Sequence, residues 1–253
     1  MELYSKQHSF PDLAKELNRS RTANHRSSRD LARDIIECER CPRLRAFART
    51  EAKKKRPRFV HWDYWAKPVP GFGDINGEVL IVGLAPAATG ALRTGRIFTG
   101  DASSKFLVSA LYETGFANQP LSESVDDGLI YDGCYLTAAV KCAPPGDRPL
   151  PQEFENCSAF LDDEIRIMKN LRAVLALGSM AFNAYVGSLK RRGVPVKGVE
   201  FGHGKKYKMA GGPTLYASFH PSPRNTNTGK LTHAMLVRVL GSIAQDLEGR
   251  PGA

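Results

Sequence analysis

The cysteines offer the first chemistry. Cys38 and Cys41 form a Cys-x-x-Cys, while Cys142 and Cys157 stand far downstream with 14 residues between them. Four thiolates can hold zinc or an iron-sulfur cluster. Zinc ribbons present two Cys-x-x-Cys knuckles, so an isolated third and fourth cysteine favour a 4Fe-4S cluster over zinc. Four unrelated buried thiols are the alternative, but Cys41-Pro42 and Cys142-Ala143-Pro144-Pro145 are turn-like places that present ligands easily. Cys134, at the entry to a strand, reads as core. Two further residues can do acid-base or electrostatic work. Asp101 ends the run GLAPAATGALRTGRIFTGD and precedes a helix, where it can also serve as an N-cap. His220 leaves an apolar run in FHPSPRNTNTGKLT, held before two prolines that stiffen the turn. The first run lacks both the Gly-Lys-Ser/Thr ending of a phosphate-binding loop and the G-x-G-x-x-G of dinucleotide binders. Its small residues instead let backbone approach a ligand closely.

These residues need a frame to bring them together. Four short apolar runs, 79–84, 135–140, 173–177 and 215–219, read as buried parallel strands. Helical patterns follow at about 102–114, 151–170, 179–190 and 229–247, the last capped by Thr228. This alternation predicts an α/β fold, a three-layer α/β/α sandwich on a central, mostly parallel four-stranded sheet. Ligands of such sheets bind beyond the carboxyl ends of the strands. The runs after the first, second and last strands all fall on that edge. Upstream, Ser27 and Ser28 are candidate N-caps for a helix interrupted at Pro42. A cationic run from Lys53 to Arg58 then leads into Trp62, Tyr64 and Trp65. That segment reads as a solvated charge run with core-packed aromatics, or as a DNA contact.

The 253 residues are 42% hydrophobic, 9% aromatic and 25% charged, an ordinary globular composition that excludes disorder as the main state. Lysine and arginine number 36 against 26 acidic residues, a net charge of +10 that favours a polyanionic partner such as nucleic acid. Residues 1–28 read as a polar, basic extension and 29–250 as a single domain. No run is long and apolar enough to span a membrane and none at the start resembles a signal peptide, so a cytoplasmic protein is expected.

Taken together, GLAPA, RTGR and FTGD in the first loop, KCAPP in the second, HPS and NT-x-TG-x-LT in the last, and the four cysteine positions resemble the family 5 uracil-DNA glycosylases (UDGb). The resemblance runs from Cys38 to the last helix. It implies a 4Fe-4S protein of bacteria or archaea that excises uracil, and other deaminated bases such as hypoxanthine, from double-stranded and also single-stranded DNA. A nucleoid-associated monomer is expected. By position, Cys38, Cys41, Cys142 and Cys157 match the cluster ligands, Asp101 the acidic residue implicated in catalysis, and His220 the motif histidine. Phe98 matches the aromatic that stacks on an extruded base, and Gly83, Ala85, Ala138, Asp147 and Asn225 are assigned to the base site. Family 4 carries an acidic residue in the first motif and an Asn in the second strand motif. Here Leu84-Ala85-Pro86 and Thr137-Ala138-Ala139 stand there, as in family 5, which implies an apolar pocket less selective for uracil. The sequence departs from family 5 at Asp147, where Asn is common, and at Thr89 and Leu92, where His and Asn are common.

On this reading Asp101 stabilises a cationic sugar, while His220 and backbone N–H groups receive charge on the leaving base. Arg93, Arg96, Arg148, Arg224 and the run near Lys53 grip phosphates, and Pro223, Arg224 and Asn225 fill the opened duplex. Three rivals remain: a non-enzymatic, metal-stapled DNA-binding protein; a metal-dependent phosphoesterase using Asp101, Asp147 and Asp163; and a bifunctional glycosylase with Lys105 or Lys141 as nucleophile.

Overall fold

A computed structural model describes residues 27–249. The extension expected at 1–28 thus lies outside the described residues apart from Ser27 and Ser28. Ser27 caps the first helix, α1 (Ser28–Ile36), its side chain accepting from the Asp30 N–H at 3.1 Å. Pro42 opens α2 (Pro42–Lys54), where its missing N–H costs nothing. The Cys-x-x-Cys therefore occupies the break between two helices. A single 3-10 turn (Pro57–Phe59) follows.

The sheet strands are β1 (Phe72–Gly73), β2 (Val79–Gly83), β3 (Cys134–Ala138), β4 (Ala173–Leu177), β5 (Lys206–Tyr207) and β6 (Thr214–Ser218). Their spatial order is β1-β3-β2-β4-β6-β5. The four central strands are parallel and β1 and β5 add antiparallel edges. The expected four-stranded sheet is thus the core of a mixed six-stranded one. The two edge strands escape sequence reading because two residues each give no periodicity.

Helices α3 (Ala91–Thr94), α4 (Ala102–Glu113), α5 (Pro151–Ile167), α6 (Ser179–Arg191), α7 (Pro223–Thr226) and α8 (His233–Glu248) complete the chain. Alternation along the central strands sorts the core. Val79 and Ile81 face Leu107, Leu111, Leu236 and Leu240 of α4 and α8. Leu80 and Val82 face Leu161, Phe182 and Tyr185 of α5 and α6. Each fully buried leucine or isoleucine contributes ~1.5–3 kcal/mol, so covering both faces fixes the register of every central strand. The last helix begins later than expected, because Thr232 caps it by accepting from the Met235 N–H at 3.3 Å. Thr228 instead bonds back to the Arg224 carbonyl at 2.7 Å within the preceding turn.

Candidate active site and cysteine centre

At the carboxyl edge of the sheet the loops after β2 and β3 are tied together. Ala139 and Val140 N–H groups donate to the Gly83 and Leu84 carbonyls at 2.9 and 3.0 Å. Asp101, at the end of the first loop, caps α4 through a capping box: Oδ1 accepts from the Ser104 N–H at 2.8 Å, and the Ser104 hydroxyl accepts from the Asp101 N–H at 3.0 Å. Burial raises its carboxyl pKa above the ordinary value. The Ser104 and Ser103 N–H groups and Arg93 oppose that rise, and nearby Asp147 adds to it. The carboxylate also presses on Gly90, where a Cβ would come 2.0 Å from Oδ2.

Phe98 is 7% exposed and held at φ 49°, a left-handed conformation a phenylalanine adopts only under constraint. Its ring lies over Gly83, where a Cβ would be 2.6 Å from Cζ. A glycine at the end of β2 is thus what admits the aromatic.

His220 follows β6 on the same edge. The Asn225 amide donates to its carbonyl at 2.8 Å, so Asn225 braces the histidine's backbone. Burial lowers the imidazole pKa to about 4, leaving a neutral ring with one N–H to donate at neutral pH. Between β2 and β6 runs only β4, which is followed by Gly178, and a Cβ there would stand 3.2 Å from the His220 Cβ. Two strand spacings separate the ends of β2 and β6 by ~10 Å. A separate surface groove of about 450 Å³, between α5 and α6, is lined by neither Asp101 nor His220.

The cysteines gather beside this edge. Cys41, Cys142 and Cys157 are buried in one cluster with Leu44 and Val140. Cys38 is half-buried at the adjoining contact of Ile35 with Phe160. All four are free thiols. Burial raises the Cys142 thiol most, and Cys157, Cys38 and Cys41 all add to it, which places the four within electrostatic reach of one another. Half-buried Ala85 packs on this cysteine cluster, and Ala138 is buried core. Among the described residues no group of three or more His, Cys, Asp or Glu is arranged to hold a single metal ion.

The profile of the uracil DNA glycosylase superfamily matches residues 70–244. A type-5 uracil-DNA glycosylase of Pyrobaculum aerophilum is 46% identical over 217 residues, covering 86% of this chain and 92% of that protein. One of Thermus thermophilus is 44% identical over 206 residues, covering 81% and 92%. One of Mycobacterium bovis is 42% identical over 203 residues, covering 80% and 75%. The chain belongs to the uracil DNA glycosylase superfamily. That membership makes it an enzyme of the DNA N-glycosylase class.

Within this glycosylase fold two expected phosphate contacts are corrected. Arg96 is 5% exposed, pairs with Asp127 at 2.6 Å and donates to Thr99 and Ser122. Arg93 is 2% exposed, with its guanidinium 4.0 Å from the ring centroids of both Phe59 and Trp62. Neither offers its charge to solvent; Arg148 and Arg224 are exposed. The aromatics after the cationic run turn inward onto the first loop, Trp65 against Gly95 and its N–H on the Arg93 carbonyl at 3.0 Å.

Two rival chemistries lose residues they need, although Lys105 stays exposed on α4. Lys141 is spent in a buried pair with Glu164 at 2.7 Å, and Asp163 pairs with Arg166 on α5. Asp101 and Asp147 are close enough to interact, yet no third carboxylate joins them in a metal group among the described residues. Sequence reasoning missed Glu164, Phe59 and His203. His203 stacks on Phe219 at 5.0 Å and its Nδ1 accepts from the Phe219 N–H at 3.2 Å, which sets the residue before His220. A histidine in a Gly-His-Gly-Lys turn carries no signal that it serves a strand end.

Proposed function

We propose that the protein removes uracil, and other deaminated bases such as hypoxanthine, from DNA after extruding the nucleotide from the duplex. What carries this reading is that the loops bearing Asp101, Phe98 and His220 all leave the same sheet edge, in a chain 46% identical to a type-5 uracil-DNA glycosylase. Extrusion costs a few kcal/mol and is cheapest at mismatches, so uracil opposite guanine is the favoured substrate. Phe98, already constrained, offers its ring to the extruded base with little further ordering. The bond between C1′ and the base nitrogen then breaks, its electron pair leaving on the base. The Asp101 carboxylate faces the cationic sugar in a poorly solvated site, where its field is strong. It orients the water whose oxygen joins C1′ and accepts the released proton. Neutral His220 donates its N–H to the departing base, without the repulsion a second full cation would exert on the sugar.

Half-buried Leu84, apolar where a base-reading side chain could stand, supports a broad pocket, and Asp147 puts a carboxylate near it. Arg148, Arg224 and the exposed lysines Lys53 and Lys54 bind phosphate, so affinity should fall steeply with salt. Pro223 and Arg224, on exposed α7, enter the gap left by the base.

Cys38, Cys41, Cys142 and Cys157 would hold a 4Fe-4S cluster. Cys41, Cys142 and Cys157 share one buried cluster that Cys38 adjoins, and an all-cysteine donor set of this kind suits an iron-sulfur core. When bound, the cluster staples the α1–α2 junction to the loop after β3 and to α5. Iron and acid-labile sulfide near four each per chain test this, and stoichiometric zinc without iron refutes it.

The deciding experiment is single-turnover abasic-site formation on duplexes carrying uracil, hypoxanthine or xanthine opposite each base. Cleavage that Asp101→Asn and His220→Ala both slow, with the fold intact, supports the reading. Unchanged rates in both variants overturn it.

A further inference from the structure

We propose that Arg93 is a positioning residue for Asp101, and that through it the cationic segment 53–58 is mechanically joined to the catalytic carboxylate; this rests on Asp101 acting as proposed above. Arg93 lies on α3 in the middle of the first loop and grips both ends of it. Its Nε donates to the Thr89 carbonyl at 3.1 Å and its Nη2 to the Gly100 carbonyl at 3.2 Å. Gly100 immediately precedes Asp101, so the second bond fixes the peptide from which the carboxylate springs. Gly100 sits at φ +80°, and a Cβ there would come 2.2 Å from Nη2. The bond and the side chain together therefore require glycine.

The two flat faces of the guanidinium are closed by Phe59 and Trp62, each 4.0 Å away. These rings belong to the turn that follows the lysine run, and Arg58 itself stacks on Phe59 at 4.5 Å. A phosphate drawn to segment 53–58 thus pulls on rings that also close over the guanidinium holding Gly100. Only a planar fork can lie between two rings while bonding two carbonyls, which lysine cannot do.

The charge of Arg93 is otherwise unspent. No salt bridge to it is recorded among the described residues, and its Nη1 is buried without a hydrogen-bond partner there. A buried donor left without a partner is uncommon. The groups that face it electrostatically are Tyr64, Arg58 and Asp101. Those that face Asp101 are Arg93, Asp147 and the Ser103 and Ser104 N–H groups. Arg93 is the cation among them, and it favours the ionised carboxylate.

The test compares Arg93→Lys, Arg93→Met and Trp62→Ala with Asp101→Asn and the unaltered protein. Single-turnover cleavage of a uracil duplex at saturating enzyme is followed across pH, with duplex Kd and its salt dependence measured in parallel. Arg93→Lys should slow cleavage roughly 10–100-fold, the effect of misplacing a catalytic group by about 1 Å. Kd should stay within about twofold and the salt slope should not change, since no phosphate contact is lost. In Arg93→Met the acid limb of the rate profile should move to higher pH, because the cation favouring ionised Asp101 is gone. Trp62→Ala should reproduce the slowing in weaker form and carries the test if Arg93→Met fails to fold. A loss confined to Kd with a shallower salt slope would make Arg93 a DNA contact and overturn the inference. So would wild-type rates and profiles for Arg93→Lys and Trp62→Ala while Asp101→Asn is inactive. If Asp101→Asn cleaves normally, the catalytic reading itself fails and the inference with it.

Discussion

Gly90→Ala isolates the position of one carboxylate. A methyl group at residue 90 would stand 2.0 Å from the Asp101 Oδ2, 2.8 Å from its Cγ and 2.9 Å from the Thr99 carbonyl. Real Cβ contacts essentially never fall under 3.0 Å, so Oδ2 must retreat by at least 1.0 Å. The backbone cannot absorb the clash easily, because Gly90 precedes α3 and its carbonyl accepts from the Arg93 and Thr94 N–H groups at 2.9 and 3.0 Å. Nor can Asp101 swing away without leaving the Ser104 N–H it caps. A misplacement of about 1 Å costs roughly 100-fold in rate, equivalent to ~2.7 kcal/mol of transition-state stabilisation. Single-turnover cleavage of a uracil duplex should fall by that order, while duplex Kd holds. Gly241→Ala is the matched control: that glycine lies inside α8, has nothing within 4 Å, and should gain about 1 kcal/mol of helix propensity with no change in rate. If Gly90→Ala cleaves at the wild-type rate, the Asp101 carboxylate does not act from the place described.

Three further outcomes follow from the charges in and around the core. Lys141→Met leaves Glu164, 0% exposed and previously paired at 2.7 Å, as an uncompensated buried carboxylate bonded only to Thr137. It should destabilise by about 3–5 kcal/mol in denaturant melts, largely restored in Lys141→Met/Glu164→Leu, and a cost under about 1 kcal/mol would refute the assignment of the pair as structural. Asp147→Asn removes a negative neighbour that helps raise the Asp101 pKa, so the acid limb of the rate profile should move to lower pH, less so in high salt. The sign for stability is opposite to that for activity. A carboxyl raised by burial favours folding in its neutral form, a contribution present below about pH 4 and lost as pH rises through the folded value. Asp101→Asn should therefore melt higher than wild type at pH 7 while losing activity, and a lower melting temperature there would contradict the buried, costly carboxylate.

The central architecture was readable because its signals are dense. Val79–Gly83, Ala173–Leu177 and their neighbours are continuous apolar runs, and the helices between them carry caps or prolines at their starts, Asp101 and Pro151 among them. The edge from which the loops of Asp101 and His220 both leave followed from strand order alone. What stayed hidden depends on contacts between distant segments. Arg93 and Arg96 look alike in RTGR, but one is taken by aromatics from residues 59 and 62 and the other by Asp127. Nothing local distinguishes an arginine bound for phosphate from one bound for a ring. The same holds for Ala85, small enough to admit a ligand and equally suited to pack on the cysteines.

That last contact joins the two centres physically. The first loop leaves β2, touches the cysteine cluster at Ala85, turns around Arg93 and ends at Asp101. Val140 ties it to the loop carrying Cys142, through the Leu84 carbonyl at 3.0 Å. The packing of the cysteine cluster therefore sets one end of the loop, and the aromatic grip on Arg93 sets its middle. A carboxylate at its far end inherits both constraints, so a loosened cysteine centre should appear first as a slower cleavage step, before any loss of the sheet. The parallel strands hold each other through continuous ladders and are covered mostly by α4, α5, α6 and α8, so they stay folded while the loop shifts.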